Sequence, residues 1–374
     1  MNKTLIGISG AGIGGLAAAI ALLRDGHEVV VFEQAAKFAR VGADINLTPN
    51  SVRALDGLGV GDKLRETAAR PTHRISRTWD SGEETSRLPM SDEAELRYGA
   101  PQLTMHRADL MSALEQAVPP GTVRFAKRLI SAETVSGKIV ATFADGSKEE
   151  LDALIGADGI HSAARTAILG PENPRFTGVV AYRAVVPISR LSGPNLNAFT
   201  KWWGPNPETQ LVTFPLNRGQ DMFIFATTAQ DSWRHESWTM PGNVEEFRAA
   251  YTSFHPEARV FIDACDEVMK SALYERDPLP TWCKGNMTLL GDACHPMMPF
   301  MAQGAGMAVE DAVVLGRHLK GVGVKDFAAA FLRYQTSRLE RASQIQLGSR
   351  GNNWLREGGN ADWVYGYDAW KVAL

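Results

Sequence analysis

Gly10, Gly12 and Gly15 stand in the spacing G-x-G-x-x-G, with Gly14 among them, between the apolar run Leu5 to Ser9 and a small-residue stretch that reads as a helix. Glycine at these places lets backbone approach a pyrophosphate at the positive end of the helix. Glu33, closing the next apolar run beside Gln34, can accept hydrogen bonds from a ribose diol. The pattern points to an ADP-containing cofactor, NAD or FAD on this motif alone, against a chance match of glycines.

Two further segments carry related chemistry. Gly156-Ala157-Asp158-Gly159 ends an apolar strand and leads through His161, Ser162 and Arg165 into a helix. Gly291-Asp292-Ala293-Cys294-His295-Pro296 follows the buried strand Met287 to Leu290, and its Asp292 carboxylate is placed to accept a ribityl hydroxyl. Any one Asp-Gly can be a plain turn; three such pieces in this order argue for a shared ligand. Just beyond, Gly304, Ala305, Gly306 and Met307 open a helix. Backbone N–H groups and the helix dipole there favour the negative charge that develops at N1/O2 of a flavin on reduction. A glycine-rich turn that merely starts a helix is the bland alternative.

Other elements must hold these groups in place. Leu5 to Ser9, a helix from Gly12 to Gly26 and the strand Glu28 to Glu33 form a βαβ opening, with Asp25-Gly26 as a left-handed helix stop. From Pro71 to Arg97 the pattern breaks into short polar segments. Helical periodicity returns in Ala108 to Gln116. Thr122 to Phe125 and Ile139 to Ala144 read as strands flanking a loop, and Asp145-Gly146 as a turn. Alternation in Val179 to Val186, Gln210 to Phe214 and Met222 to Thr227 predicts an antiparallel sheet with one open face. A helix is expected from about Gly306 to His318. A long amphipathic one is expected from Phe327 to Gln346, with Arg333, Arg338 and Arg341 on its polar side. Trp354, Trp363, Tyr365, Tyr367 and Trp370 argue that the tail docks on the body. The fold class is therefore α/β. A discontinuous Rossmann-like dinucleotide-binding domain is expected over 1–72, 99–175 and 278–345, an antiparallel-sheet substrate domain over 73–98 and 176–277, and a C-terminal docking tail over 346–374.

The 374 residues are 44% hydrophobic and 22% charged, enough for a sizeable core, and the net charge of −3 gives no global pull toward nucleic acid or anionic lipid. Cys265, Cys283 and Cys294 fit neither a CxxC metal site nor a disulfide framework, so no metal and a reducing compartment are expected. Lys3 and the apolar run from Leu5 to Leu23 resemble a secretory signal, but the glycines within it and the strand after it fit a strand, turn and helix better. No other stretch approaches the ~18 apolar residues of a membrane span. A cytoplasmic protein, monomer or homodimer, is expected.

With Arg107 in His106-Arg107-Ala108-Asp109-Leu110, the three motifs resemble those of the single-component, group A flavoprotein monooxygenases, the para-hydroxybenzoate hydroxylase type. The likeness runs over nearly the whole chain. It includes Arg40-Val41-Gly42-Ala43, Pro49-Asn50, Tyr182-Arg183-Ala184, Lys201-Trp202-Trp203 and the tail run Trp363-Val364-Tyr365-Gly366-Tyr367-Asp368. These runs place the chain near the 6-hydroxynicotinate 3-monooxygenases and salicylate hydroxylase-like enzymes. The resemblance implies FAD held by Arg40, Arg107, Asp158, Asp292 and the helix start, reduction by NADH or NADPH, and capture of O2 as a C4a-hydroperoxide. A hydroxylated aromatic or N-heteroaromatic acid then takes the distal oxygen. No second dinucleotide fingerprint is present, in keeping with a nicotinamide that binds transiently in a groove.

The likeness departs where substrate chemistry should lie. Asn46 and Phe300 stand where the 6-hydroxynicotinate enzymes carry histidines, and the strand Glu208 to Phe214 stands where they carry a His and a Tyr. Candidate catalytic residues are Asn46, Gln210, Phe214, His235 and the Pro299 carbonyl; candidate substrate contacts are Tyr182, Thr213, Met222 and Phe300. A lone His235 can equally be a surface or structural residue. If the substrate carries a carboxylate para to its hydroxyl, attack at that carbon expels CO2. Lys201 or Arg183 can hold that carboxylate, unless they are surface strand charges. An NAD(P)-dependent dehydrogenase would use only Gly10 to Glu33 and leave Asp158 and Asp292 unexplained. A flavin-dependent halogenase would carry a W-x-W-x-I-P run, which is absent. A flavin-binding sensor without enzymatic activity is the third alternative.

Overall fold

The computed structural model describes residues 4–38, 44–193, 195–233 and 240–374. The opening unit forms as its pattern predicts: strand Leu5–Ser9, helix Ile13–Arg24 and strand Glu28–Phe32, with Gly26 at φ +82° just past the helix. These strands are buried almost throughout, which is why they read as continuous apolar runs. The six-stranded sheet runs in the order Cys283–Lys284, Met287–Leu289, Ala153–Gly156, Leu5–Ser9, Glu28–Phe32, Val123–Arg124. All neighbours are parallel except the first pair. The three Gly/Asp motifs therefore leave the carboxyl ends of three adjacent parallel strands, where open α/β sheets bind their ligands.

The eight-stranded sheet runs Met240–Pro241, Met269–Glu275, Arg175–Pro187, Asp221–Ala229, Gln210–Leu216, Phe199–Trp203, His73–Thr78, Glu84–Pro89. It is antiparallel except where Phe199–Trp203 lies beside His73–Thr78. The unpatterned stretch from Pro71 to Arg97 supplies its last two strands and the helix Asp92–Tyr98. Glu84–Pro89 is an edge strand with no buried residue, so it has no apolar period to read. A second correction lies between Val123–Arg124 and Lys138–Phe143. The expected loop contains the strand Leu129–Val135, mostly exposed, in a three-stranded antiparallel sheet.

Helices Gly304–Leu319 and Phe327–Arg350 pack on one another, and here the expected polar stripe breaks down. Arg333 is exposed, but Arg338 is fully buried, 2.9 Å from Glu310 and 2.8 Å from Asp311. Arg341 reaches Glu310 at 2.8 Å. A buried guanidinium is tolerable only with such partners, and the acids that compensate it lie on the other helix, out of reach of periodicity. The tail docks as expected: Trp370 Nε1 donates to the Ala54 carbonyl at 3.1 Å, and the Tyr367 ring lies 3.8 Å from the Arg341 guanidinium. Among the described residues no helix is long and apolar enough to cross a membrane.

Arg338→Met leaves two buried carboxylates with one cation fewer. Chemical denaturation should register a loss of about 3–5 kcal/mol; a loss under ~1 kcal/mol would mean this pairing does not join the two helices.

Candidate active site

A cavity of about 360 Å³ lies where the parallel-strand ends meet one face of the eight-stranded sheet. The parallel-sheet turns contribute Gly12, Ile13, Gly14, Ala157, Gly159, Gly291 and Asp292, and the helix start contributes Gly304 and Ala305. The eight-stranded sheet contributes Arg74, Arg183, Phe199, Lys201, Gln210, Val212, Phe214, Phe223 and Phe225.

The first group fits a dinucleotide. Gly12 has φ −74°, a conformation open to any residue, and a Cβ built on it meets nothing within 4 Å. Its bareness leaves room on the cavity side rather than serving the fold. Gly15 is the opposite case: a Cβ there would lie 1.9 Å from the Gly10 carbonyl oxygen, so the helix could not pack so closely on the turn. Glu33 accepts from the Ala11 and Ala35 amides at 2.9 and 2.8 Å, beside the turn but not on the cavity wall. Asp292 points into the cavity. Enclosure by protein pushes its carboxyl up, against the pull of His295 and Arg107, which suits a group that trades hydrogen bonds with hydroxyls. Arg107 lines the cavity as well.

Several expected cofactor contacts fall elsewhere. The Asp158 carboxylate accepts from Ser162 Oγ and from the Ala164 amide at 3.1 Å, so it shapes the turn while Ala157 and Gly159 face the cavity. Gly306 backs onto Ser51, where a Cβ would come within 2.2 Å of Oγ, and Met307 packs with Tyr98, Ile345 and Tyr365. In a helix only the first residues can face its N-terminal end, and of this segment it is Gly304 and Ala305 that line the cavity. Gln34 is exposed and off the wall. Arg40 and His235 lie outside the described residues.

On the sheet side, strand alternation sorts the candidates. Gln210, Val212 and Phe214 face the cavity; Leu211 and Thr213 take the other face. Tyr182 and Met222 also face away. Tyr182 stacks on Phe247 at 5.0 Å and donates to Glu246 at 3.1 Å, in the cluster that holds Met222. Thr213, Tyr182 and Met222 are thus removed as cavity residues; their strands were recognised, but not which parity points inward. Phe199 stacks on Phe214 at 5.4 Å, Phe214 lies 5.0 Å from Phe223, and Phe300 joins this apolar wall. Pro299 lines the cavity too, although its carbonyl accepts from the Ala302 amide at 3.0 Å.

Lys201 and Arg183 are not surface charges. Lys201 is 2% exposed and donates to Asn352 Oδ1 at 2.6 Å. Burial, then repulsion from Arg74 and Arg356, holds its ammonium well below the usual lysine range. Arg183 donates to Ser271 Oγ at 2.6 Å and lies over the Phe225 ring. Two groups escaped the sequence reading. Arg74 sits in the unrecognised strand His73–Thr78, at a cavity-facing position. Asp44 precedes the short strand Ile45–Leu47, and burial pushes its carboxyl up to about 6 against the pull of Arg183 and Arg107. Three buried polar atoms on this wall have no partner among the described residues: Asn46 Nδ2, Gln210 Oε1 and Arg74 Nε. Such groups are costly unless a polar ligand satisfies them. Asn46 Oδ1 already accepts from Gln102 at 2.6 Å, which fixes its amide. Behind the cofactor turn, Cys294, His295 and Asp311 cluster closely. The Asp311 oxygens are already engaged by the Gly291 amide, His295 and Arg338, so the cluster is read as a hydrogen-bond network.

Two predictions follow from these contacts. Gly12→Val should strip FAD from the protein, read by flavin absorbance, while changing apo-protein stability by less than ~0.5 kcal/mol; Gly15→Val should cost about 3 kcal/mol by overpacking. Asp44 supplies the second. Its folded carboxyl titrates at about 6 against the model-peptide value of 3.8, so the folded chain binds the extra proton and stability falls as pH rises through that window. Asp44→Asn should abolish that fall, making the variant the more stable form at about pH 7 and level with the parent at about pH 4 in urea titrations.

Residues 3–347 match the family described as FAD binding domain. Over its whole length the chain is 42% identical to a 6-hydroxynicotinate 3-monooxygenase of Bordetella bronchiseptica, covering 97% of that protein. It is 37% identical over 369 residues to a 3-hydroxybenzoate 6-hydroxylase of Polaromonas naphthalenivorans, covering 97% of this chain and 91% of the other. A salicylate hydroxylase substrate complex matches with a TM-score of 0.85 at 25% identity, over 98% of this chain and 96% of that one. With the cradle at three strand ends and the aromatic wall facing it, this chain belongs to the FAD-dependent aromatic-ring monooxygenases.

Proposed function

We propose that the chain uses NAD(P)H and O2 to hydroxylate a hydroxylated aromatic or N-heteroaromatic acid at the sheet-lined end of the cavity. One observation carries the reading: a single cavity joins a dinucleotide cradle to a phenylalanine wall bearing unsatisfied polar atoms. The acids named for the relatives, 6-hydroxynicotinate and 3-hydroxybenzoate, are of this kind. FAD, when bound, supplies electron transfer from NAD(P)H and the activation of O2. The balance is one ring C–H, one O2, one NAD(P)H and one proton giving one ring C–OH, water and NAD(P)+.

The chain's own residues do the rest. Gly304 and Ala305 bring the positive end of a 16-residue helix to the cofactor, and Asp292 offers a carboxylate to its hydroxyls. Phe199, Phe214, Phe223 and Phe300 clamp the flat ring and exclude water. A ring hydroxyl must lose part of its proton to push electrons toward the attacked carbon. Asn46 Nδ2 can donate to the resulting oxygen and Gln210 Oε1 can accept from a ring N–H or O–H. Asp44, with its carboxyl near 6, is the cavity group suited to take a proton at neutral pH. Phe214 and Phe300 act by shape, and Pro299 fixes the turn that carries Phe300.

The test is a panel of hydroxypyridine carboxylates and hydroxybenzoates offered to the FAD-loaded enzyme with NADH or NADPH under isotope-labelled O2. Substrate-stimulated nicotinamide oxidation and a product carrying one labelled oxygen are expected, with CO2 released if the carboxyl-bearing carbon is attacked. Label confined to water or peroxide with every acid in the panel would reject the reading.

A further inference from the structure

Among the described residues the buried cations fall into two groups. Arg338 has Glu310 and Asp311, Arg165 has Glu172 at 2.7 Å, Arg276 has Glu172 at 3.3 Å, and Lys270 has Glu246 at 2.6 Å. Lys201 and Arg74 do not follow this rule. Both are buried, at 2% and 4% exposure, and among the described residues neither has a carboxylate partner. Lys201 has the neutral Asn352 oxygen and the Trp203 ring, whose centroid lies 3.6 Å from Nζ. Arg74 has the Trp354 carbonyl at 3.3 Å and the Phe199 ring, and its Nε has nothing. They sit on one face of adjacent parallel strands, where Phe199 pairs with Arg74 and Lys201 with Ser76. Both line the cavity. Two buried cationic side chains side by side, with no carboxylate beside them among the described residues, make a site that an external anion would complete; without one, burial and repulsion from Arg74 favour the neutral amine at Lys201.

Their position within the cavity is also set. Lys201 pairs in register with Val212, Val212 with Phe225, and Phe225 with Arg183. Three strand spacings, about 14 Å, therefore separate Lys201 from Arg183. Arg183 lines the cavity together with Asp44, Arg107 and Asp292. Asp44 precedes the strand Ile45–Leu47, which pairs with Leu103–Met105 just ahead of Arg107, and Asp292 follows the parallel strand Met287–Leu289, so that end lies nearest the cofactor turns. We propose that Lys201 and Arg74 together form the receptor for the substrate's carboxylate, at the end of the cavity away from the cofactor. The ring then lies over Val212 and Phe225, with its far edge turned toward the flavin. This rests on the cavity being a hydroxylase substrate site, and it adds which end of the substrate enters where and what charge it must carry.

The experiment compares matched acids and carboxamides on the FAD-loaded enzyme: 6-hydroxynicotinate, 3-hydroxybenzoate and salicylate against 6-hydroxynicotinamide, 3-hydroxybenzamide and salicylamide. Dissociation constants come from the perturbation of flavin absorbance, and nicotinamide oxidation is followed in parallel. At least one acid should bind ~30-fold or more tightly than its amide, the discrimination expected of a buried charge pair. In Lys201→Met and Arg74→Met the acid should weaken until it binds within about threefold of the amide, and Lys201→Arg should restore much of the preference. Lys201→Met should melt no lower than the parent without ligand, because it removes a buried amine whose charged form burial disfavours; a merely structural lysine would melt lower. If Lys201→Met fails to fold, the acid-to-amide ratio of the unaltered enzyme still decides. Equal binding of acid and amide by that enzyme, or equal losses of both in the variants, overturns the receptor. If amides alone stimulate nicotinamide oxidation, the receptor falls while the hydroxylase reading stands. If neither acids nor amides do so and none binds, both fall.

Discussion

Asp311 is the tie on which the cofactor side of the molecule depends. Its carboxylate accepts from the Gly291 amide at 3.0 Å, lies 2.6 Å from His295 Nε2 and accepts from Arg338 Nε at 2.8 Å. One buried group thus joins the turn that presents Asp292, the helix that begins at Gly304 and the long helix Phe327–Arg350. Burial alone would push its carboxyl up; His295 and Arg338 outweigh that and hold it at about 2. The charge is therefore permanent over the physiological range, and the turn and the helix start keep a fixed relation. A cofactor that must meet both at once needs that relation, because a misplacement of an ångström removes the benefit of a preorganised site.

The substrate side is governed by a different constraint, the two-residue period of the eight-stranded sheet. One parity faces helices Val244–Ala250 and Pro256–Asp263 and buries Tyr182, Leu211, Met222 and Ile224 with Phe247, Phe261 and Ile262. The other parity faces the cavity and carries Arg74, Lys201, Gln210 and Arg183 among phenylalanines. The same strands therefore support stability with one set of side chains and recognition with the other. A residue change can act on one function with little effect on the second.

This division also explains what could be read from the sequence. The dinucleotide cradle was legible because glycine spacing and strand-terminal acids are local, and the fold brings three such local signals to neighbouring strand ends. Gly12, Asp292, Gly304 and Ala305 lie where their motifs put them. Asp158 and Met307 lie in the right segments but face inward, since a motif gives a position along the chain and not the direction of each side chain. On the sheet, Gln210 and Phe214 were distinguishable from Thr213 only by knowing which parity packs on helices far away in sequence. Arg74 was hidden because its partner strand Glu84–Pro89 is exposed and patternless. Lys201 stayed open between a carboxylate holder and a surface charge, and Arg338 was placed on a polar stripe, for one reason: nothing local says whether a long cation ends in water, on a carboxylate of another helix, or in a pocket.

The two sides meet through the tail. Asn352 accepts from Lys201 and donates to the Pro207 carbonyl at 2.5 Å, and the Trp354 carbonyl accepts from Arg74. Ser76, beside Arg74 in the same strand, donates to the Leu355 carbonyl at 2.9 Å. Further along, Arg341 donates to the Trp363 and Val364 carbonyls and to Glu310, which lies next to Asp311 in the cofactor helix. All the partners the tail offers Lys201 and Arg74 are neutral oxygens. Neutral acceptors orient the two heads without supplying a counter-charge, so both are held in place and the carboxylate they lack would have to come with a ligand. An acidic residue at 352 would have made a more stable protein with an occupied site, and the neutral amide there leaves the site receptive.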